Sequence, residues 1–122
     1  MACTLDVLIV DDEHLLGESI EQYFVNHALS ARHTTKVQDA ISIVKKQHPK
    51  VALVDIFLPE LDGLDLAEEI FHYNPDCKII LMSGIYNFNE QQLQQLGVHD
   101  FIKKPIDFSR LEEILKKHNV IN

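Results

Sequence analysis

The chain has 122 residues, 46% of them hydrophobic, and carries 19 acidic against 11 basic side chains for a net charge of −8. That length makes a single domain, residues 1–122, able to bury a core without disulfides or metals to hold it together. The acidic balance argues against this chain alone gripping a nucleic-acid backbone, where affinity comes mainly from Lys and Arg on phosphates, and no apolar run reaches the roughly 18 to 20 residues of a membrane span.

Met1-Ala2-Cys3-Thr4 lacks the basic start of a secretory leader, and the apolar residues behind it are broken by Asp6. Cys3 and Cys77 are too few for a disulfide framework, so both are expected as free thiols in a reducing cytoplasm, without a redox role. Leu5 to Val10 reads as a buried strand that ends in the carboxylates Asp11-Asp12-Glu13. Leu16, Ile20, Tyr23 and Phe24 follow at i, i+4, i+7 and i+8, the stripe of a surface helix resting on a sheet. Leu29 to Thr35 is a weaker strand, and its polar Ser30, Arg32 and His33 place it at an edge. Thr35-Lys36-Val37-Gln38 has the T-x-x-Q form of a capping box. Val37, Ala40, Ile41 and Val44 then continue at helical spacing until His48-Pro49 stops the helix.

Val51-Ala52-Leu53-Val54 is a short apolar, β-branched run, again a buried strand, and it delivers Asp55 to a loop punctuated by Pro59 and Gly63. A charged carboxylate buried without partners is too costly to keep. Asp55 therefore faces a crevice, a cation or a ligand, or else it caps its loop. Leu66, Ala67 and Ile70 mark a third helix between Asp62-Gly63 and Asn74-Pro75. Lys78 to Met82 is a fourth strand, ending in Ser83-Gly84. Asn87 to Gln95 is a helix with thin apolar support, chiefly Leu93 and Leu96, before Gly97 as its stop. Val98 to Ile102 is the fifth strand and runs into Lys103-Lys104-Pro105. Asp107 can cap a last helix whose inward face is Phe108, Leu111, Ile114 and Leu115, with Lys116, Lys117 and His118 at the end where positive charge suits the helix dipole.

Five strands alternating with five helices predict an α/β domain, a (βα)5 doubly wound parallel sheet with right-handed crossovers. Ligands bind such sheets outside the carboxyl ends of the strands, where the acids, the hydroxyl and the lysines all fall. With Asp11, Asp12 and Asp55 about 4 Å apart at an effective dielectric near 20, each like-charge pair costs around 4 kcal/mol. The cluster thus needs a cation. Hard oxygen ligands suit Mg²⁺, whereas the seven histidines have no zinc-binding spacing. A metal, a lysine and a hydroxyl around a carboxylate are the parts of phosphoryl transfer, and the carboxylate itself can be the nucleophile.

Four pieces in order carry a resemblance over nearly the whole chain: Leu8-Ile9-Val10-Asp11-Asp12-Glu13, Asp55 through Gly63, Met82-Ser83-Gly84, and Asp100-Phe101-Ile102-Lys103-Lys104-Pro105. With these the chain resembles the receiver domain of bacterial two-component response regulators. The resemblance implies a flavodoxin-like sheet in the order 2-1-3-4-5, Asp55 as phosphoacceptor, Asp12 as a direct Mg²⁺ ligand, Asp11 holding the metal largely through water, and the backbone carbonyl of Phe57 as a further metal oxygen. It further implies Ser83 as the switch hydroxyl, Phe101 as the switch aromatic, and Lys104 as the cation on the phosphoryl group, aimed by a cis Lys104-Pro105 bond. Taken singly, Phe101 is more often plain core, Ser83 a strand-end cap, Lys104 surface charge and Pro105 trans. Lys103 falls where the family varies and reads as a solvated charge.

The implied function is a cytoplasmic, phosphorylation-activated signalling receiver. It takes a phosphoryl group from a sensor histidine kinase or phosphotransfer protein and assists its own modification without being a metabolic enzyme. Its output, to a downstream protein, an output domain or a phosphorylation-dependent homodimer, would use the fourth helix, fifth strand and fifth helix. Two other readings compete. One is a phosphorylation-independent interaction module, against which the intact acid, hydroxyl and lysine set argues. The other is a flavin-binding electron carrier, whose anionic cofactor Asp11-Asp12-Glu13 would repel. The family's positions flanking the approach of water to the phosphoryl group are here Phe57 and Ile85, which cannot hydrogen-bond a water, so slow self-dephosphorylation is expected.

Overall fold

A computed structural model describes residues 4–121; Met1 to Cys3, with the thiol expected free at Cys3, lie outside the described residues. The elements run β1 (Val7–Val10), α1 (His14–Asn26), β2 (Ala31–Thr34), α2 (Val37–Gln47), β3 (Val51–Asp55), α3 (Gly63–Tyr73), β4 (Lys78–Ser83), α4 (Glu90–Leu96), β5 (Asp100–Lys103) and α5 (Phe108–Lys117). All strand pairs are parallel, in the order β2-β1-β3-β4-β5. This is the doubly wound, flavodoxin-like sheet expected, with β2 at an edge.

The central strands read as continuous apolar runs because both of their faces are covered. Side chains alternate from face to face along a strand, and the two cores divide accordingly. Leu8, Val10, Ala52, Val54, Ile79 and Leu81 meet Val37, Ala40, Val44, Leu66, Ala67 and Ile70 of α2 and α3. Val7, Ile9, Val51, Leu53, Ile80 and Met82 meet Ile20 and Phe24 of α1 and Leu111, Ile114 and Leu115 of α5. Burial pushes the Cys77 thiol up to about 12, so it is not a thiolate near neutral pH. Among the described residues no helix is long and apolar enough to cross a membrane.

Two local expectations change. The Thr35 capping box does not form: the residue before α2 is Lys36, with no side-chain cap bond. β2 carries the chain straight to Thr34, whose Oγ1 accepts the Lys36 N–H at 3.2 Å, and Glu60 from the loop after β3 accepts the Val37 N–H at 3.2 Å. The helix is therefore capped from across the fold. The fourth helix starts at Glu90, not Asn87, because Asn89 and Gln92 form a reciprocal capping box, Asn89 Oδ1 accepting the Gln92 N–H at 2.8 Å and Gln92 Oε1 accepting the Asn89 N–H at 2.9 Å. Phe88, just before the cap, rests on the same core that takes Leu93, whereas Leu96 is exposed. One buried side chain thus anchors α4.

Candidate functional site

Parallel pairing brings the ends of β1, β3, β4 and β5 to one edge of the sheet: Val10 lies beside Val54, Asp55 beside Met82, and Ser83 beside Lys103. The residues that follow β1 and β5, Asp11-Asp12-Glu13 and Lys104, therefore converge on Asp55. Gly63 lets α3 start close against this edge, since a Cβ there would lie 2.2 Å from the Asp55 carbonyl oxygen.

Asp11 and Asp55 are buried, and Asp12 is exposed. One carboxylate oxygen from each of the three lies within 4.8 Å of the others. Asp55 Oδ1 accepts the Phe57 N–H at 3.0 Å, and its Oδ2 accepts from Lys104 Nζ at 2.8 Å. Asp11 Oδ1 accepts the Glu13 N–H at 2.8 Å. Lys104 Nζ is also 2.8 Å from Asp11 Oδ2 and 3.3 Å from Glu13 Oε1. Its approach to Asp11 is a charge contact rather than a hydrogen bond, and that buried oxygen has no hydrogen-bond partner among the described residues.

Burial pushes the Asp11 carboxyl above its usual range and the charge of Asp55 adds to this, while Lys104 and the Glu13 N–H pull the other way. Burial would lower Lys104, but its close contacts with the Asp11 and Asp55 carboxylates, together with their charges, outweigh it and hold the ammonium protonated well above the usual lysine value. One ammonium is shared among three carboxylates, and Asp11 Oδ2 has no further hydrogen-bond partner among the described residues. Three hard oxygen donors with a single cation among them fit a small hard cation such as Mg²⁺.

Ser83 is fully buried, and its Oγ accepts the N–H groups of Ile85 and Tyr86, both at 3.1 Å. With both lone pairs engaged, the hydroxyl can act further only as a donor. The cleft above Asp55, about 680 Å³, is lined by Asp12, Glu13, Phe57, Gly84, Ile85 and Lys104 among others. Phe57 and Ile85 are 48% and 73% exposed, so neither turns inward to the core. Phe101 stands apart from this cluster: it is half-buried on the α2/α3 side, with its ring edge-on to Phe88 at 5.3 Å. Lys103 is exposed, and the Lys104-Pro105 bond is cis.

Sequence reasoning missed Glu13 as a third contact of Lys104, and Tyr86, which holds Ser83 through its backbone and stacks on Phe57 through its ring, 5.7 Å between centroids. An acid one residue past an acidic pair and an aromatic in a loop were the available signals.

The family described as the response regulator receiver domain matches residues 7–116. The transcriptional regulatory protein HptR of Staphylococcus aureus is 31% identical over 116 residues, covering 89% of this chain and 44% of that protein. The chain thus spans less than half the length of such curated relatives. Among solved structures, the CheY-like response regulator receiver domain protein of Methanospirillum hungatei JF-1 superposes with a TM-score of 0.84 at 24% identity, covering 94% of this chain and 93% of that one. The receiver domain of NtrX from Brucella abortus does so with a TM-score of 0.82 at 27% identity, covering 92% and 96%.

Proposed function

The chain belongs to the response regulator receiver domain family of two-component systems, and on that premise we propose that Asp55 is its phosphoacceptor, served by Lys104, Ser83 and a Mg²⁺ site. The observation that carries this reading is the buried Asp55 carboxylate, one oxygen on Lys104 Nζ at 2.8 Å, beside an Asp11 oxygen that the same ammonium approaches at 2.8 Å and that has no further hydrogen-bond partner among the described residues.

The donor is a phosphohistidine on a sensor kinase or phosphotransfer protein. An Asp55 carboxylate oxygen attacks phosphorus, the P–N bond breaks, and the imidazole leaves. Asp12 and Asp55, Asp11 largely through water, and the Phe57 carbonyl would hold Mg²⁺, which when bound neutralises charge on the phosphoryl oxygens. Lys104 follows the phosphoryl group as a second cation, and the Ser83 hydroxyl, with only its proton left to give, donates to it. Movement of Ser83 and Phe101 then changes the face built from α4, β5 and α5, through which a downstream protein, an output domain or a second copy is engaged. The domain works in the cytoplasm and assists its own phosphorylation and dephosphorylation.

Incubation with acetyl phosphate, followed by electrophoresis that retards phosphoproteins, tests this. Labelling that requires Mg²⁺ and disappears with EDTA is the expected result; labelling indifferent to the metal would contradict the site as drawn.

A further inference from the structure

Gly17 sits inside α1, where glycine is among the least favoured residues. A Cβ at that position would lie 2.0 Å from His33 Nε2 and 2.3 Å from Cδ2 and Cε1 of the same ring. The missing side chain is therefore the space into which β2 sends its imidazole. From there His33 Nε2 lies 2.8 Å from the carbonyl oxygen of Asp11. A carbonyl only accepts, so Nε2 carries a proton and donates it.

β2 takes the other backbone group of Asp11 as well, the Asp11 N–H donating to Thr34 O at 3.2 Å. Peptide units are planar, so the plane that enters Asp11 and the plane that joins it to Asp12 are both anchored to one edge strand. The His33 N–H in turn donates to Glu21 Oε2 of α1 at 2.7 Å, which fixes the histidine's own backbone.

We infer that His33 is a positioning residue of the acidic site: its Nε2–H holds the Asp11-Asp12 peptide in the orientation that turns both carboxylates toward Asp55, and Gly17 is the opening that lets the ring reach it. This rests on reading Asp11, Asp12 and Asp55 as the Mg²⁺ site. Groups that orient metal ligands are worth about 10–100-fold in affinity. His33 acts on a ligand's backbone, so the lower end applies.

The test is a Mg²⁺ titration followed by melting temperature, which yields the dissociation constant separately from metal-free stability. His33→Leu, which fills the space but cannot donate, should weaken Mg²⁺ binding about tenfold. His33→Gln, whose amide can donate, should recover most of that loss. Gly17→Ala, which displaces an intact imidazole, should weaken binding like His33→Leu and supplies the answer if the leucine variant does not fold. Ile20→Val, a buried change on the same helix, should lower the melting temperature and leave the affinity alone. Parent-like affinity in His33→Leu or Gly17→Ala, or an equal loss in Ile20→Val, overturns the inference while leaving the metal site intact. A parent chain that binds no Mg²⁺ overturns the site itself and the inference with it.

Discussion

The rings of Phe57 and Tyr86 lie stacked, 26° from parallel, with Phe57 on the wall of the cleft that opens onto Asp55. With Asp55 as the proposed phosphoacceptor, the stack would set an apolar face where a water has to line up with phosphorus, and exposed Ile85 would add a second. Neither side chain can orient that water. The phosphorylated protein should therefore lose its label slowly in Mg²⁺, and Phe57→Asn with Ile85→Glu should speed the loss by about tenfold or more. Tyr86→Ala, which removes the support of Phe57, should speed it less. Fast decay in the parent, or an unchanged rate in the double variant, would dismiss the aromatic wall as a guard.

On the proposed site, Mg²⁺ would bind the assembled carboxylates and not the unfolded chain. At tenfold above its dissociation constant it should add about 1.4 kcal/mol of stability, a rise of about 5 °C in melting temperature for a domain of this size. Asp12 is exposed, so Asp12→Asn disturbs no core and should remove most of that rise. A variant that still responds as the parent does would take Asp12 out of the ligand set.

A second buried carboxylate, outside the cluster around Asp55, should contribute to acid stability. Asp100 is buried: its Oδ1 accepts the Phe101 N–H at 2.8 Å, and its Oδ2 lies 2.8 Å from His118 Nε2 and 3.5 Å from Lys117 Nζ. Burial alone would raise its carboxyl, but these partners hold it below the usual range. A carboxyl with a depressed folded value stabilises the fold above the unfolded aspartate value, about 4, and that stability is lost as pH falls through the folded value. Asp100→Asn should thus cost about 1–3 kcal/mol at neutral pH, with the difference from the parent shrinking in acid below pH 4. Denaturant unfolding across pH measures this; a difference that grows in acid would reverse the assignment.

The single buried side chain of α4, Leu93, makes that helix the least secured element of the proposed output face. Amide exchange with and without beryllofluoride should change most between Gly84 and Phe108. Changes confined to α2 would place the moving part elsewhere.

The fold was legible because β1, β3 and β4 are apolar on both faces and the helices show their stripes; the pairing order came from resemblance. The acids, Ser83 and Lys104 could be read because each closes a strand, and parallel pairing brings strand ends together. Capping was harder to read. Thr35 had the right spacing for a cap, but Glu60, 23 residues from Val37, reached the helix first, and no local pattern encodes such a contact. The role of His33 was equally hidden, since a polar residue on an edge strand resembles ordinary surface until Gly17 is seen to make room for it.

Asp55 is the proposed carrier of the phosphoryl group. Asp55→Asn keeps the shape of the side chain and removes the nucleophilic charge, so the decisive measurement is acetyl phosphate labelling of this variant beside the parent in Mg²⁺, with the melting curves of both showing that each is folded. A labelled parent and an unlabelled Asp55→Asn protein are predicted. Undiminished labelling of the folded variant would contradict the account and move the acceptor to another residue.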